Sequence, residues 1–118
     1  MKITRVYHGD DDQTHFEDME LETHRVEGPG FSRTEVLAAN ATNFASQPPG
    51  YFADWHPAPS RRYVTIVSGS AEIGVSDGET RTVVPGDVVL FEDVTGPGHT
   101  MRVLGNEPRI ALHVSLAD

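Results

Sequence analysis

The sequence contains no cysteine, which removes disulfide scaffolds, thiolate-held zinc, iron–sulfur clusters and cysteine nucleophiles. Lysine is almost missing too: Lys2 is the only one, so eight arginines carry nearly all of the positive side-chain charge. No apolar run approaches the ~20 residues needed to span a bilayer. Met1–Asp10 has no apolar stretch of the length a secretory signal requires, so a cytoplasmic protein is expected. Positive charge as a whole is scarce, with 9 Lys+Arg against 18 Asp+Glu and a net charge of −9. Such a surface repels phosphate backbones and anionic lipid, so neither nucleic acid nor a membrane is expected as a partner. Eight of the acids fall between Asp10 and Glu27, where Arg25 is the only base. This stretch reads as a solvated face, with His8, His15 and His24 in or near it exposed to water.

What remains is an ordinary composition for one globular domain of 118 residues, with 37% hydrophobic and 23% charged positions. A single domain over residues 1–118 is expected. No segment has the period of a long amphipathic helix. Instead, 11 glycines and 8 prolines divide the chain into short β-branched and aromatic runs. The candidate strands are Ile3–Tyr7, Leu21–Val26, Thr34–Ala39 and Tyr51–His56, then Tyr63–Val67, Ala71–Val75, Arg81–Val84, Val88–Phe91, Thr100–Leu104 and Ile110–Val114. Ser68-Gly69-Ser70 and Ser76-Asp77-Gly78-Glu79 can supply positive φ for tight hairpins. Pro85-Gly86-Asp87 has the Pro-Gly pair of a type II turn. Asn40–Gly50 reads as a loop with room for one short helix. The pattern predicts an all-β fold, a small antiparallel barrel or sandwich.

From Asp54 to His99 the sequence resembles the cupin superfamily in its small single-domain form. The resemblance rests on Tyr63–Gly69, on Val83-Val84-Pro85-Gly86-Asp87-Val88-Val89-Leu90, and on His99 in Gly96-Pro97-Gly98-His99. It implies a double-stranded β-helix (jelly-roll) barrel with a small-molecule site inside. The cupin motif G-x5-H-x-H-x3,4-E-x6-G, counted back from Gly69, puts its first histidine on His56, its second on Ala58 and its glutamate on Arg62. Two of the four usual metal ligands, His56 and His99, are therefore in register. A shifted register adds Asp54 as an oxygen ligand, since residues two apart on a strand share a face. With no cysteine, the resemblance implies one divalent ion held by imidazole and carboxylate: iron, manganese, zinc or nickel.

Arg62 opposes that reading, because a guanidinium keeps its charge and cannot ligate a metal. The resemblance implies that it faces inward with Val64 and Ile66, where it needs a carboxylate: Asp54, Glu35, Glu92 or an anionic substrate. Trp55, Phe91 and Met101 are candidate substrate-contacting residues. Tyr51 and Phe52 suit the same pocket wall, and His113 could face the cavity, though a core or edge position is the plainer reading. Two enzyme readings stay open. One uses a metal on His56, His99 and Asp54. The other is metal-free, with His56 and His99 as acid and base and Arg62 on a substrate anion. Isomerase, cyclase, lyase and dioxygenase chemistry all occur on cupins. Against both stands a non-catalytic barrel that captures a small ligand for sensing or storage. Small cupins commonly pair through their sheets, so a homodimer is expected.

Overall fold

Glycine and proline set the strand lengths, and a computed structural model describes the result for all residues, Met1–Asp118. There is no helix. In chain order the strands are β1 (Lys2–His8), β2 (Thr14–Glu20), β3 (His24–Arg25), β4 (Ser32–Arg33), β5 (Ala39–Gln47), β6 (Phe52–His56), β7 (Arg62–Ser68), β8 (Ser70–Val75), β9 (Thr80–Val83), β10 (Val88–Phe91), β11 (His99–Leu104) and β12 (Arg109–Leu116). Gly69 reverses β7 into β8 at φ +74°, and a methyl there would meet the Pro108 carbonyl at 2.3 Å. The Pro-Gly turn closes as expected: Asp87 N–H donates to the Val84 carbonyl at 3.0 Å, with Gly86 at φ +95°.

The strands form two facing sheets. One has the order β2, β1, β10, β7, β12, β5, and the other β6, β11, β8, β9. Every pairing is antiparallel except β1 with β10. Side chains alternate as the pleat requires: Val64 and Ile66 of β7 are buried while Val67 is exposed. One apolar cluster joins the sheets, with Val6, Ile66 and Phe91 from the first and Ile73, Val75 and Val103 from the second. Each such side chain contributes about 1.5–3 kcal/mol by leaving water. The outer face of the six-stranded sheet carries a smaller cluster of Ile3, Leu90 and Leu116. Leu21 and Leu37 line a groove with Tyr63 and Val88 on that face.

The N-terminal third departs from the expected strands. β2 lies inside the acidic stretch, where Thr14 and Phe16 turn inward and are buried between outward charges. Leu21–Val26 shrinks to the two residues of β3, and Thr34–Ala38 is irregular. The expected loop at Asn40–Gly50 is mostly strand. β5 pairs with β12 from Ala39 opposite Leu116 to Gln47 opposite Arg109. An edge strand needs few core side chains, so its small polar residues hid it; the backbone ladder to β12 supplies its hydrogen bonds. His15 is also not free in solvent. Nδ1 lies 2.8 Å from Asp77 and Nε2 lies 2.8 Å from Asp11. His8 lies 3.1 Å from Asp12, while His24 is exposed as expected.

Candidate active site

The core is not filled throughout. Between Val64 and Phe91 on one sheet and Ile73 and Met101 on the other lies a cavity of about 160 Å³. His56 and His99 sit at one side of it, facing each other across the β6–β11 ladder with ring centroids 4.6 Å apart. Phe91 packs on His99 at 4.4 Å. Gly98, at φ +75°, makes this approach possible, because a Cβ there would meet the His56 carbonyl at 2.0 Å. His99 is 7% exposed, whereas His56 stands at the mouth.

Both rings have one nitrogen fixed. Nδ1 of His56 donates to the backbone carbonyl of Asp54 at 2.7 Å. Nδ1 of His99 donates to the carboxylate of Asp93 at 2.6 Å, and Asp93 is fully buried. A carbonyl or carboxylate only accepts, so each neutral ring leaves Nε2 as a basic lone pair. Asp93 belongs to the loop between β10 and β11, six residues before His99. Sequence reasoning passed over it.

Asp54 does not join the pair. Between Met101 and His99 the ladder slips from Ala53 to His56, so two residues of β6, Asp54 and Trp55, lie opposite the single Thr100 of β11. This irregularity breaks the alternation that would have put Asp54 beside His56. Asp54 is exposed, and its carboxylate accepts from Trp55 N–H at 2.9 Å instead. Trp55 likewise lies outside the cavity, 50% exposed. Phe52 is exposed and stacks on Arg102 at 4.6 Å. Of the expected wall residues, Phe91, Met101 and Tyr51 do line it.

The opposite side of the cavity is cationic. Arg62 faces in, as its register required, but none of Asp54, Glu35 or Glu92 partners it. Glu92 is held by Arg5 and Arg61. Nη1 of Arg62 instead donates to Nδ1 of His113 at 3.2 Å, and its Nε, buried, has no acceptor. Arg109, 5% exposed, donates from Nη1 to Gln47 at 2.8 Å and likewise leaves Nε without an acceptor. Burial holds both guanidinium pKa values below their ordinary range. His113 lies in the cavity wall rather than the core, and burial, then Arg62 and Arg109, push its pKa down to about 4. Arg109 escaped the sequence reading, although counting by twos from His113 through Ala111 reaches it.

A divalent ion fits this donor set poorly. Structural and catalytic sites use at least three protein ligands, and no group of three His, Asp or Glu side chains is placed to hold one. The motif's two further ligand positions, Ala58 and Arg62, both line the cavity but offer a methyl and a cation.

No protein-family model matches the chain, and no curated protein matches it. Solved structures do resemble it. The Cnp3 cupin domain of Schizosaccharomyces pombe is 14% identical, covering 99% of this chain and 88% of that one with a TM-score of 0.54. A cupin superfamily protein from Desulfitobacterium hafniense is 18% identical over 85% of this chain and 100% of that one, at a TM-score of 0.48. A conserved protein of unknown function from Streptococcus pyogenes is 27% identical over 65% of this chain, at a TM-score of 0.48, and this chain spans 63% of its length. The fold is that of the cupins.

Proposed function

We propose that this cupin-fold chain is a small-molecule enzyme that moves a proton on a carboxylate substrate bound in the barrel, with His99 as base and Arg62 as anchor. The observation that supports it most is the polarity of one cavity. Two imidazole rings whose Nδ1 atoms are already bonded line it from one side, and Arg62, Arg109 and His113, each with one buried N–H that has no acceptor, line it from the other. The substrate carboxylate binds Arg62, which brings a neighbouring C–H toward His99. Nε2 takes that proton, the bonding electrons move into an enolate, and Asp93 stabilises the imidazolium that results. The cationic side stabilises the negative charge as it develops. Return of the proton to a different substrate atom completes an isomerisation, and loss of a β-substituent at the enolate stage would make the same site a lyase.

The test is exchange of substrate C–H for deuterium in D₂O, followed by proton NMR over a panel of small 2-oxo and 2-hydroxy acids. Exchange with at least one of them is expected, together with a loss of 100-fold or more in His99→Gln. A ligand that binds with no exchange of any panel member would favour the non-catalytic reading. That reading draws on Ala58 and Arg62, which stand where the resemblance expects two ligands.

A further inference from the structure

The acceptor-free side of the cavity has a composition that one carboxylate does not satisfy. The 14 residues lining the cavity include two arginines and no Asp or Glu, in a chain whose net charge is −9. Three buried donors there lack an acceptor: Nε of Arg62, Nε of Arg109 and Nε2 of His113. The last is a donor because Arg62 can only donate, so Nδ1 of His113 accepts and the proton resides on Nε2. Gln47 Oε1, the nearest acceptor to Arg109, is already used. Burying two guanidinium charges without counter-charge is costly, and the protein supplies none.

The two arginines also come from different places. Arg62 lies opposite Ser115, while Arg109 and His113 share one face of β12. Arg62 and Arg109 are thus separated by six residues of strand, roughly 20 Å at ~3.3 Å per residue; Arg62 bonds His113, Arg109 bonds Gln47, and all four side chains line the one cavity. Two anchors on either side of a neutral donor match a ligand with two separated anionic groups better than one compact anion. The cavity, at about 160 Å³, is small and opens to solvent beside His56, which favours a short ligand.

From this geometry we infer that the substrate is a short dicarboxylate, one carboxylate on Arg62 and the other on Arg109, with His113 Nε2–H donating between them. This rests on the proposed anchoring role of Arg62 and adds the second anchor. Paired guanidinium–carboxylate contacts are the strongest neutralisation available to such groups.

Isothermal titration calorimetry of the full chain at pH 7 tests it, with malonate, succinate and glutarate against butyrate and inorganic phosphate. At least one dicarboxylate should bind tenfold or more tighter than both butyrate and phosphate. Arg109→Gln should erase that preference by lowering dicarboxylate affinity to the butyrate level while leaving butyrate unchanged. Arg109→Lys, which keeps the charge if the amide variant does not fold, should retain part of the preference. Phosphate or butyrate binding as tightly as every dicarboxylate would overturn the inference, as would an unchanged preference in the folded Arg109 variants. Dicarboxylate binding without deuterium exchange would leave this inference standing and remove the proton-transfer reading. Exchange on monocarboxylates with no dicarboxylate preference would do the reverse.

Discussion

Asp93 and His99 form a buried pair in which the ring Nδ1 lies 2.6 Å from one carboxylate oxygen while the other oxygen has no partner. The pair fixes which nitrogen of His99 is basic. In Asp93→Asn the amide can donate to Nδ1, which moves the ring proton to Nε2 and removes the base. Deuterium exchange should fall by about 10²- to 10⁴-fold, the range that a positioned general base typically contributes. Substrate affinity should hold, because the anchors lie across the cavity. Stability should drop by about 1–3 kcal/mol in chemical denaturation. A variant that exchanges at the parent rate would show that Asp93 does not orient the base.

The positions of Ala58 and Arg62 allow a converse experiment. Both line the cavity that holds His56 and His99. Ala58→His combined with Arg62→Glu would supply three imidazoles and a carboxylate, a donor set suited to iron, manganese, nickel or zinc. The double variant should retain close to one equivalent of divalent metal after purification. The parent chain should retain well under one. Stoichiometric metal in the parent, lost in His56→Ala, would mean that water or a ligand completes a site that the side chains leave short.

Stability should depend on pH through two histidines of opposite sign. Burial, then Arg62 and Arg109, lower the His113 pKa from 6.5 to about 4. The unfolded chain therefore binds more protons between pH 4 and 6.5, and stability rises with pH across that window. At ~1.4 kcal/mol per pKa unit the full effect is at most about 3.5 kcal/mol, and solvent screening of the half-buried ring reduces it. Asp11 first, then Asp77, raise the His15 pKa. That contribution is present below pH 6.5 and is lost as pH climbs through the folded-state value. Denaturant midpoints should peak near neutrality. His113→Gln should flatten the acid limb and His15→Gln the alkaline limb; an unaltered acid limb in His113→Gln would contradict the burial of a neutral ring.

Gly98→Ala should be among the most damaging single-methyl additions. The new Cβ would lie 2.0 Å from the His56 carbonyl at a φ of +75°. Relief requires β6 to move away from β11 at the two histidines. A loss of about 3 kcal/mol or more is expected, at the upper end of ordinary point mutations. Gly78→Ala has a similarly positive φ but open space around it, and should cost no more than about 1–2 kcal/mol.

The barrel was legible where turn chemistry and alternation coincide. From Tyr63 to Phe91 the strands are separated by turns that each hold a glycine at positive φ, and the observed bounds differ by one residue or so. β5 was not legible, because Ala39-Asn40-Ala41-Thr42-Asn43 carries little strand propensity and its conformation is set by β12, more than 60 residues away. β2 was masked by its acids, although Thr14 and Phe16 alternate correctly. At the site, the resemblance to the cupin motif implied that His56, His99 and Arg62 share one cavity, and all three line it. The same period-two reasoning failed at Asp54, since an extra residue in β6 cannot be counted from sequence. Asp93 lies on a loop, where no period exists to place it. Arg109 sat one residue beyond the expected strand end.

The charge distribution also bears on rates. A molecule of net charge −9 surrounds a cavity whose wall carries two guanidiniums and no carboxylate. An approaching dianion is repelled over long distances and attracted only after entry. Added salt screens the first effect over a Debye length of about 8–10 Å, while the buried contacts are screened far less. Capture should therefore quicken as ionic strength rises from very low values, the reverse of the steered association seen when ligand and surface have opposite charge. Stopped-flow association rates measured from about 10 to 150 mM salt would register the acidic exterior as a kinetic barrier that leaves the depth of the binding well largely untouched.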